Sequence, residues 1–356
     1  MLNRLLQYLL VFLLVTNVLY VISGAIHFPL SHVDVWANWI YKAKAMYLDS
    51  GSIVFLQQWS GEFAHPHYPI TLPFFFYVLY SLFGSTNELI VSLVSPIAYA
   101  LTLLLCYKTL IKLELTPNQS LLFTYLFSML SPLLAQGGRG HAGMPDIYIG
   151  LLSWAIYYVL VLSLKEVRYS WVIVACVIAA SLIKTEGVIL VLALLFTKEK
   201  WLTKIFQIIF ATAGYWYWQA LLTQLGIQAS YTMQLPTFST LIYRSIFILG
   251  ESFREMFFNV RNWYVFWWLF TLGYSTESKR GQYVPFGVFL GVFFVLYLTS
   301  TIPVQGYITS SLDRLLLQIS PFWLVPFAQT FSRYLRGDLF SNNDNLIRIR
   351  IWELLK

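Results

Sequence analysis

Asp34, Asn38 and Lys42 stand four residues apart in Asp34-Val-Trp-Ala-Asn38-Trp39-Ile-Tyr-Lys42-Ala-Lys44. A helix over this stretch would place a carboxylate, an amide and a cation on one stripe. The carboxylate can accept a proton from a hydroxyl, and Lys42 or Lys44 can hold an anion. The same residues, with Trp36, Trp39 and Tyr41, also read as an amphipathic helix in the lipid headgroup layer. Downstream lies Glu62-Phe-Ala-His65-Pro-His67-Tyr68-Pro69, whose prolines favour an extended turn. Two histidines near an acid have the ligand chemistry of a metal site, but their spacing matches no metal template. His65, His67 and Tyr68 are therefore read as hydrogen-bonding or substrate-contacting groups.

A second cluster is Gln136-Gly-Gly-Arg139-Gly140-His141-Ala-Gly143-Met-Pro145-Asp146. Gly138, Gly140 and Gly143 satisfy the GxGxxG spacing, yet a dinucleotide fingerprint must link a strand to the helix of a βαβ unit, and here apolar segments flank the loop. What remains is a flexible loop offering backbone N–H groups, Arg139 and His141. Asp146 either caps the helix that follows or contributes to a site. Lys184-Thr-Glu186-Gly187 separates two short apolar segments, and Ser310-Ser311-Leu-Asp313-Arg314 opens the last one. Ionisable groups at such depth are costly and usually functional, although Lys184 and Glu186 could be a structural pair. Arg314 is the better anion ligand, because a guanidinium binds phosphate bidentately and stays charged.

The elements that must position these groups are set by composition. Of 356 residues, 58% are hydrophobic and 11% charged, with a mean hydropathy of +0.66. A soluble domain is about 25% charged, so the chain belongs in lipid. The net charge of +7 falls in short clusters between apolar runs, which fits a positive-inside topology and not a nucleic-acid partner. Cys106 and Cys176 lie in apolar runs and imply no disulfide framework.

Apolar segments at roughly 5–26, 88–107, 119–135, 147–164, 170–184, 186–197, 204–225, 262–275, 282–301 and 314–332 predict an all-α, polytopic membrane protein with about ten transmembrane helices. The first is too long for a signal-peptide core. Clusters at Arg4, Lys108/Lys112, Lys165/Arg168, Lys198/Lys200/Lys204, Lys279/Arg280 and Arg333/Arg336 are all cytoplasmic in that arrangement. The run Pro69 to Phe83 is then a re-entrant or interfacial helix on the outer side. The expected organisation is one membrane domain over 1–356, with a first outer loop at 27–87 and a cytoplasmic tail at 333–356. Further outer segments fall at 136–146, 226–261 and 302–313.

In these residues the chain resembles the GT-C membrane glycosyltransferases, in particular the prokaryotic relatives of protein O-mannosyltransferases and of the aminoarabinose lipid A transferase. The pattern is Asp34 after the first span, the turn from His65 to Pro69, Pro145-Asp-Ile147 opening a helix, Lys184-Thr-Glu-Gly187, and Leu312-Asp-Arg314, in the family's order. The resemblance implies a polyprenyl-phosphate sugar donor and a lipid, glycan or protein acceptor. It also implies reaction at the outer face of the plasma or inner membrane, with inversion at the anomeric carbon. Asp34 matches the family's catalytic acidic residue. Many members carry Asp-Glu there, whereas Val35 follows Asp34; the resemblance implies no certain cofactor, and a divalent metal is an option that this departure weakens.

On that reading Asp34 is the general base and Asp146 orients acceptor or sugar. Lys42, Arg139 and Arg314 neutralise the departing phosphate. The rival expectation is a transporter or flippase of a lipid-linked saccharide. It is separated by whether an acid lies within reach of the donor phosphate, which a transferase requires and a transporter does not.

Overall fold

The computed structural model describes residues 2–58, 65–163, 169–227, 234–276, 280–301 and 303–336. Glu62, the clustered charges Lys165, Arg168 and Lys279, and the tail beyond Arg336 lie outside them. The described residues form an all-helical protein without a β-strand.

Helix α1 (Leu2–His27) is followed by a short turn, a π-helical turn at Trp36–Ile40 and α2 (Tyr41–Leu48). Then come α3 (Thr71–Phe83), α4 (Val94–Lys112), α5 (Pro117–Ser128), α6 (Ser131–Gly137), α7 (Pro145–Ser163) and α8 (Ser170–Ile183). A 3-10 helix, Thr185–Phe196, leads into α9 (Trp201–Ala211), α10 (Ala213–Gln224), α11 (Phe238–Phe253) and α12 (Phe266–Thr276). The chain closes with α13 (Val284–Thr299), α14 (Val304–Gln318) and α15 (Ser320–Arg336).

Local chemistry sets the boundaries. Thr116 and Gln119 form a capping box at the start of α5, with Pro117 at the first helical position. Gly84, at φ +60°, ends α3 in the left-handed conformation that glycine adopts without strain. α7 is the centre of the assembly, packing against α4, α8, the 3-10 helix, α14 and α15. Its Trp154 is fully buried and donates its Nε1–H to Ser320. One hydrophobic cluster runs from Val21 in α1 to Ala328 in α15.

Among the described residues four helical stretches are long and apolar enough to cross a membrane: Asn3–His27, Glu88–Lys112, Pro145–Leu162 and Gly281–Thr299. The pair α5 and α6 makes a fifth if its 73° bend is counted within one span. Exposed Leu5, Phe12, Leu19 and Tyr20 on α1 are the lipid-facing side of such a helix.

The remaining expected segments are short or divided. Those at 170–184 and 186–197 are met by α8 and the 3-10 helix, which join at Lys184. At about 1.5 Å per residue, the 14 residues of α8 reach about 21 Å, short of a hydrocarbon core of about 30 Å. The expected span 204–225 divides at Thr212. The expected last span, 314–332, divides at Ile319, and Arg314 sits well inside α14 instead of at the start of a span. In the last two cases hydropathy sums across a break that only packing reveals.

Topology is open to direct measurement. In a background lacking Cys106 and Cys176, single cysteines at the exposed positions Ser31 and Thr309 should both react with an impermeant thiol reagent from outside the cell. A cysteine at exposed Lys112 should react only after permeabilisation. Labelling of Ser31 and Thr309 from opposite sides would break the shared-face arrangement.

Candidate functional site

Two polar chambers meet beside the N-terminal end of α7. The first, about 290 Å³, is lined by Asp34, Asn38, Trp39, His65, Tyr68 and Met144, with Pro145, Lys184 and Glu186 from the far wall and Tyr307, Ser310 and Arg314 from α14. The second, about 550 Å³, is lined by His32, Asp34, Arg139 and His141 on one side and by Asn259, Arg261, Asn262, Asp313 and Arg314 on the other. Asp34, Met144, Ser310 and Arg314 belong to both. The two chambers are thus halves of one cleft, divided where Asp34 faces Arg314.

The dividing pair is close but not tight: Asp34 Oδ2 lies 3.8 Å from Arg314 Nη1. Half of the Asp34 side chain, 49%, is exposed to the cleft, against 22% of Arg314. Arg314 is held from beneath by Asp146, whose Oδ2 is 3.9 Å away. Asp146 Oδ1 accepts from Lys184 Nζ at 3.1 Å and from Gln318 Nε2. Lys184 in turn lies 3.5 Å from Glu186, whose other oxygen accepts from the Thr185 hydroxyl. The break in the helix at Lys184, an extended residue at φ −153°, ψ 138°, turns both side chains toward one place. Five charged residues from four parts of the sequence, Asp34, Asp146, Lys184 with Glu186, and Arg314, thereby form one network, and the ion pairs offset the desolvation that each would suffer alone.

The structure brings together most of the expected residues and removes others. Asp146 is fully buried and lines neither chamber. It lies behind the chamber walls and supports Arg314 and Lys184. Lys42 is displaced from the stripe of Asp34 and Asn38 because the π-helical turn between them, with its Tyr41 N–H to Trp36 O bond, alters the register. It is buried, and its Nζ donates to the carbonyls of His65 at 2.8 Å and Tyr68 at 3.3 Å. Lys42 therefore fixes the His65–Tyr68 turn and does not face a leaving phosphate. Lys44 pairs with Glu88 away from both chambers. His67 is buried, with its carbonyl accepting from Trp218 Nε1 at 2.7 Å. Of the turn only His65 and Tyr68 reach the first chamber, where Tyr68 stacks on Trp39 at 5.4 Å between ring centroids.

The glycine-rich loop is no anion cradle. The N–H groups of Arg139, Gly140, His141 and Met144 donate to nearby carbonyls, and that of Gly143 to Ser95 Oγ. Gly138 presses on α1 so closely that a Cβ there would lie 2.1 Å from the Val21 carbonyl oxygen. The glycines serve helix packing, while Arg139 and His141 reach the second chamber. His141 packs edge-on against His32 at 4.2 Å.

Burial pushes the His141 ring down to about 4, reinforced by His32 and Arg314. Burial, with His65 and Lys42 adding to it, pushes His67 down to about 3. Both rings are neutral at pH 7. Among the described residues no group of three or more His, Cys, Asp or Glu side chains is placed to hold a metal ion.

Burial also pushes the Lys42 amine down to about 7. The unfolded chain, with an ordinary lysine, binds more protons than the folded one between about pH 7 and pH 10, so stability should rise with pH across that window and level off below it. The slope from this group is roughly 1 kcal/mol per pH unit. Thermal unfolding in detergent between pH 7 and 9 reads it, and Lys42→Met, which cannot titrate, should flatten it. An unchanged slope in that variant would assign the dependence elsewhere.

Sequence reasoning missed Gln318, Asn259, Arg261 and Asn262. Tyr307, Ser311, Arg314 and Gln318 recur at helical spacing, a polar stripe legible along α14. Asn259-Val-Arg261-Asn262 lies between aromatic residues in an expected outer segment. Glu255 organises that turn, accepting from Asn259 Nδ2, Asn262 Nδ2 and Trp263 Nε1. Comparison with protein-family models, curated proteins and solved structures finds no match to this chain.

Proposed function

We propose that this protein is a membrane glycosyltransferase that moves a sugar from a polyprenyl-phosphate carrier to an acceptor hydroxyl at the outer face of the cell membrane. The carrying observation is that the half-exposed Asp34 carboxylate stands 3.8 Å from the Arg314 guanidinium, on the wall common to two polar chambers. A site that only passes a lipid phosphate through the membrane gains nothing from a carboxylate beside its cation, since the like charge repels the phosphate. A transferase needs both within one bond-making distance. The finer topology, about ten spans with both ends inside, belongs to the same proposal.

The first chamber suits a sugar. Tyr68 and Tyr307 offer ring surface for its C–H groups, and Asn38, His65, Glu186 and Ser310 offer partners for its hydroxyls. In the reaction the acceptor oxygen attacks the anomeric carbon as its proton passes to Asp34. The carbon–oxygen bond to the carrier breaks, and its electron pair leaves on the phosphate oxygen. Arg314 meets that charge, and attack opposite the leaving group inverts the carbon. Asp146, itself held by Lys184 and Gln318, fixes Arg314 in place from beneath.

Purified protein incubated with polyprenyl-phosphate-linked sugars and a membrane lipid extract should release the carrier phosphate and give a new glycoside. Nucleotide sugars alone should give none, because the glycine-rich loop at 136–146 spends its N–H groups within the protein. Turnover of a nucleotide sugar without the carrier would overturn the donor assignment. Movement of an intact lipid-linked saccharide between leaflets would instead assign a flippase.

A further inference from the structure

Asp34 is held in the cleft by its backbone. Among the described residues its carboxylate accepts no hydrogen bond, and Arg314 stands 3.8 Å from it. The turn that carries it must therefore be placed by other contacts. Val33–Val35 is the first turn of a helical run that continues through Trp36–Ile40 into α2, and the first N–H groups of such a run have no partner within it. His32 stands at the cap position, at φ −85° and ψ 132°, and its Nδ1 accepts the Asp34 N–H at 3.2 Å. Histidine is not among the residues that usually cap a helix. Its ring does more than cap, since it lies edge-on to His141 at 4.2 Å and lines the second chamber with Asp34.

The glycine-rich loop bears on the same turn. Ser31 Oγ donates to the Gly140 carbonyl at 2.9 Å. Gly143, at φ +88°, comes so near that a Cβ on it would lie 2.8 Å from Val35 Cγ1. Leu30 is buried at φ +51°, a backbone conformation that a bulky residue keeps only where its surroundings fix it.

We propose that His32 is a positioning residue for the base: its Nδ1 fixes the Asp34 backbone, and so places the carboxylate beside Arg314 where the two chambers meet, with His141 and the glycine-rich loop as support. The inference rests on the glycosyltransferase reading above. Placement matters because a general base works only within hydrogen-bond reach of the proton it takes, about 2.6–3.2 Å, and a displacement of about 1 Å can cost roughly 10²-fold. Nδ1 accepts, so the neutral ring carries its proton on Nε2. No proton passes through His32 in this account, and the loop at 136–146 enters the site as a mechanical prop.

Asparagine and glutamine separate the two ring nitrogens, because an Asn amide reaches the place of Nδ1 and a Gln amide the place of Nε2. His32→Asn keeps a capping oxygen and should hold kcat within about threefold of wild type. His32→Gln and His32→Ala should lower kcat by about 10- to 100-fold with the KM for donor unchanged, rates being compared per folded protein. If His32→Ala does not fold, the Asn and Gln pair carries the same comparison. Hydrogen–deuterium exchange over residues 32–38, measured without substrate, reads the cap apart from turnover: it should rise in the Gln and Ala variants and stay at the wild-type level in His32→Asn. An active His32→Gln beside an inactive His32→Asn would overturn the proposal by assigning Nε2 a direct contact with substrate. Equal losses in all three variants would overturn it, as would raised exchange with unchanged kcat, which makes the cap structural alone. Absence of transfer by the wild type would be the failure of the glycosyltransferase reading, whereas unchanged exchange in His32→Gln would be the failure of this inference alone.

Discussion

Asp34→Asn is expected to lower sugar transfer by about 10²–10⁴-fold, the contribution of a positioned general base, while the protein extracts and unfolds as the wild type does. Asparagine keeps the size of the side chain and removes its basicity. The structural cost is small because the ion pair of Asp34 with Arg314 is at 3.8 Å and half exposed; pairs of this kind contribute about 0–1 kcal/mol. Single-turnover rates with saturating donor, measured on preparations with matched melting curves, check the expectation. More than a tenth of the wild-type rate in Asp34→Asn would remove the base role.

Arg314→Lys is the second large effect. Lysine preserves the charge next to Asp34 and Asp146 but loses the planar fork, so a phosphate ligand should suffer and a structural counter-ion should not. Loss of one charge-assisted contact, roughly 1.5–3 kcal/mol, corresponds to about 10- to 150-fold in donor affinity or rate. Removing the charge outright is less informative. Asp146, fully buried, would keep only Lys184 as its cation, and breaking a buried pair costs about 3–5 kcal/mol. Kinetics against donor concentration, beside a thermal curve in detergent, separate the two roles. Unchanged kinetics exclude Arg314 from the phosphate site, and lost stability with unchanged specific activity assigns it to structure.

Much of this cleft is readable in the sequence because ionisable residues are scarce in an apolar chain. Asp34, Asp146, Lys184, Glu186 and Arg314 stand out by type alone, and the structure gathers all five around one place. Which of them face a substrate is not readable. Asp146 and Arg314 both begin as charged residues beside apolar runs, yet one is sealed beneath the other, a consequence of how α7 and α14 cross.

Lys42 is misleading for a local reason. Spacing by four predicts one stripe only in a regular α-helix, and the π-helical turn at Trp36–Ile40 carries no sequence mark. The segments expected over 204–225 and 314–332 mislead similarly, since a hydropathy window runs through Thr212 and Ile319 without registering that the helix ends there. Arg261 was legible only as a cation in a long outer segment; its place opposite Arg139 depends on Glu255 folding the turn.

The central claim is that the cleft breaks the bond between sugar and carrier phosphate. The most direct measurement supplies purified wild-type protein in lipid nanodiscs with a carrier-linked sugar labelled at the anomeric carbon, together with a membrane lipid extract. Carrier phosphate and a new glycoside of inverted configuration should appear together, and neither should appear with Asp34→Asn. Recovery of the labelled carrier intact, with wild-type protein folded and donor bound, would contradict the account.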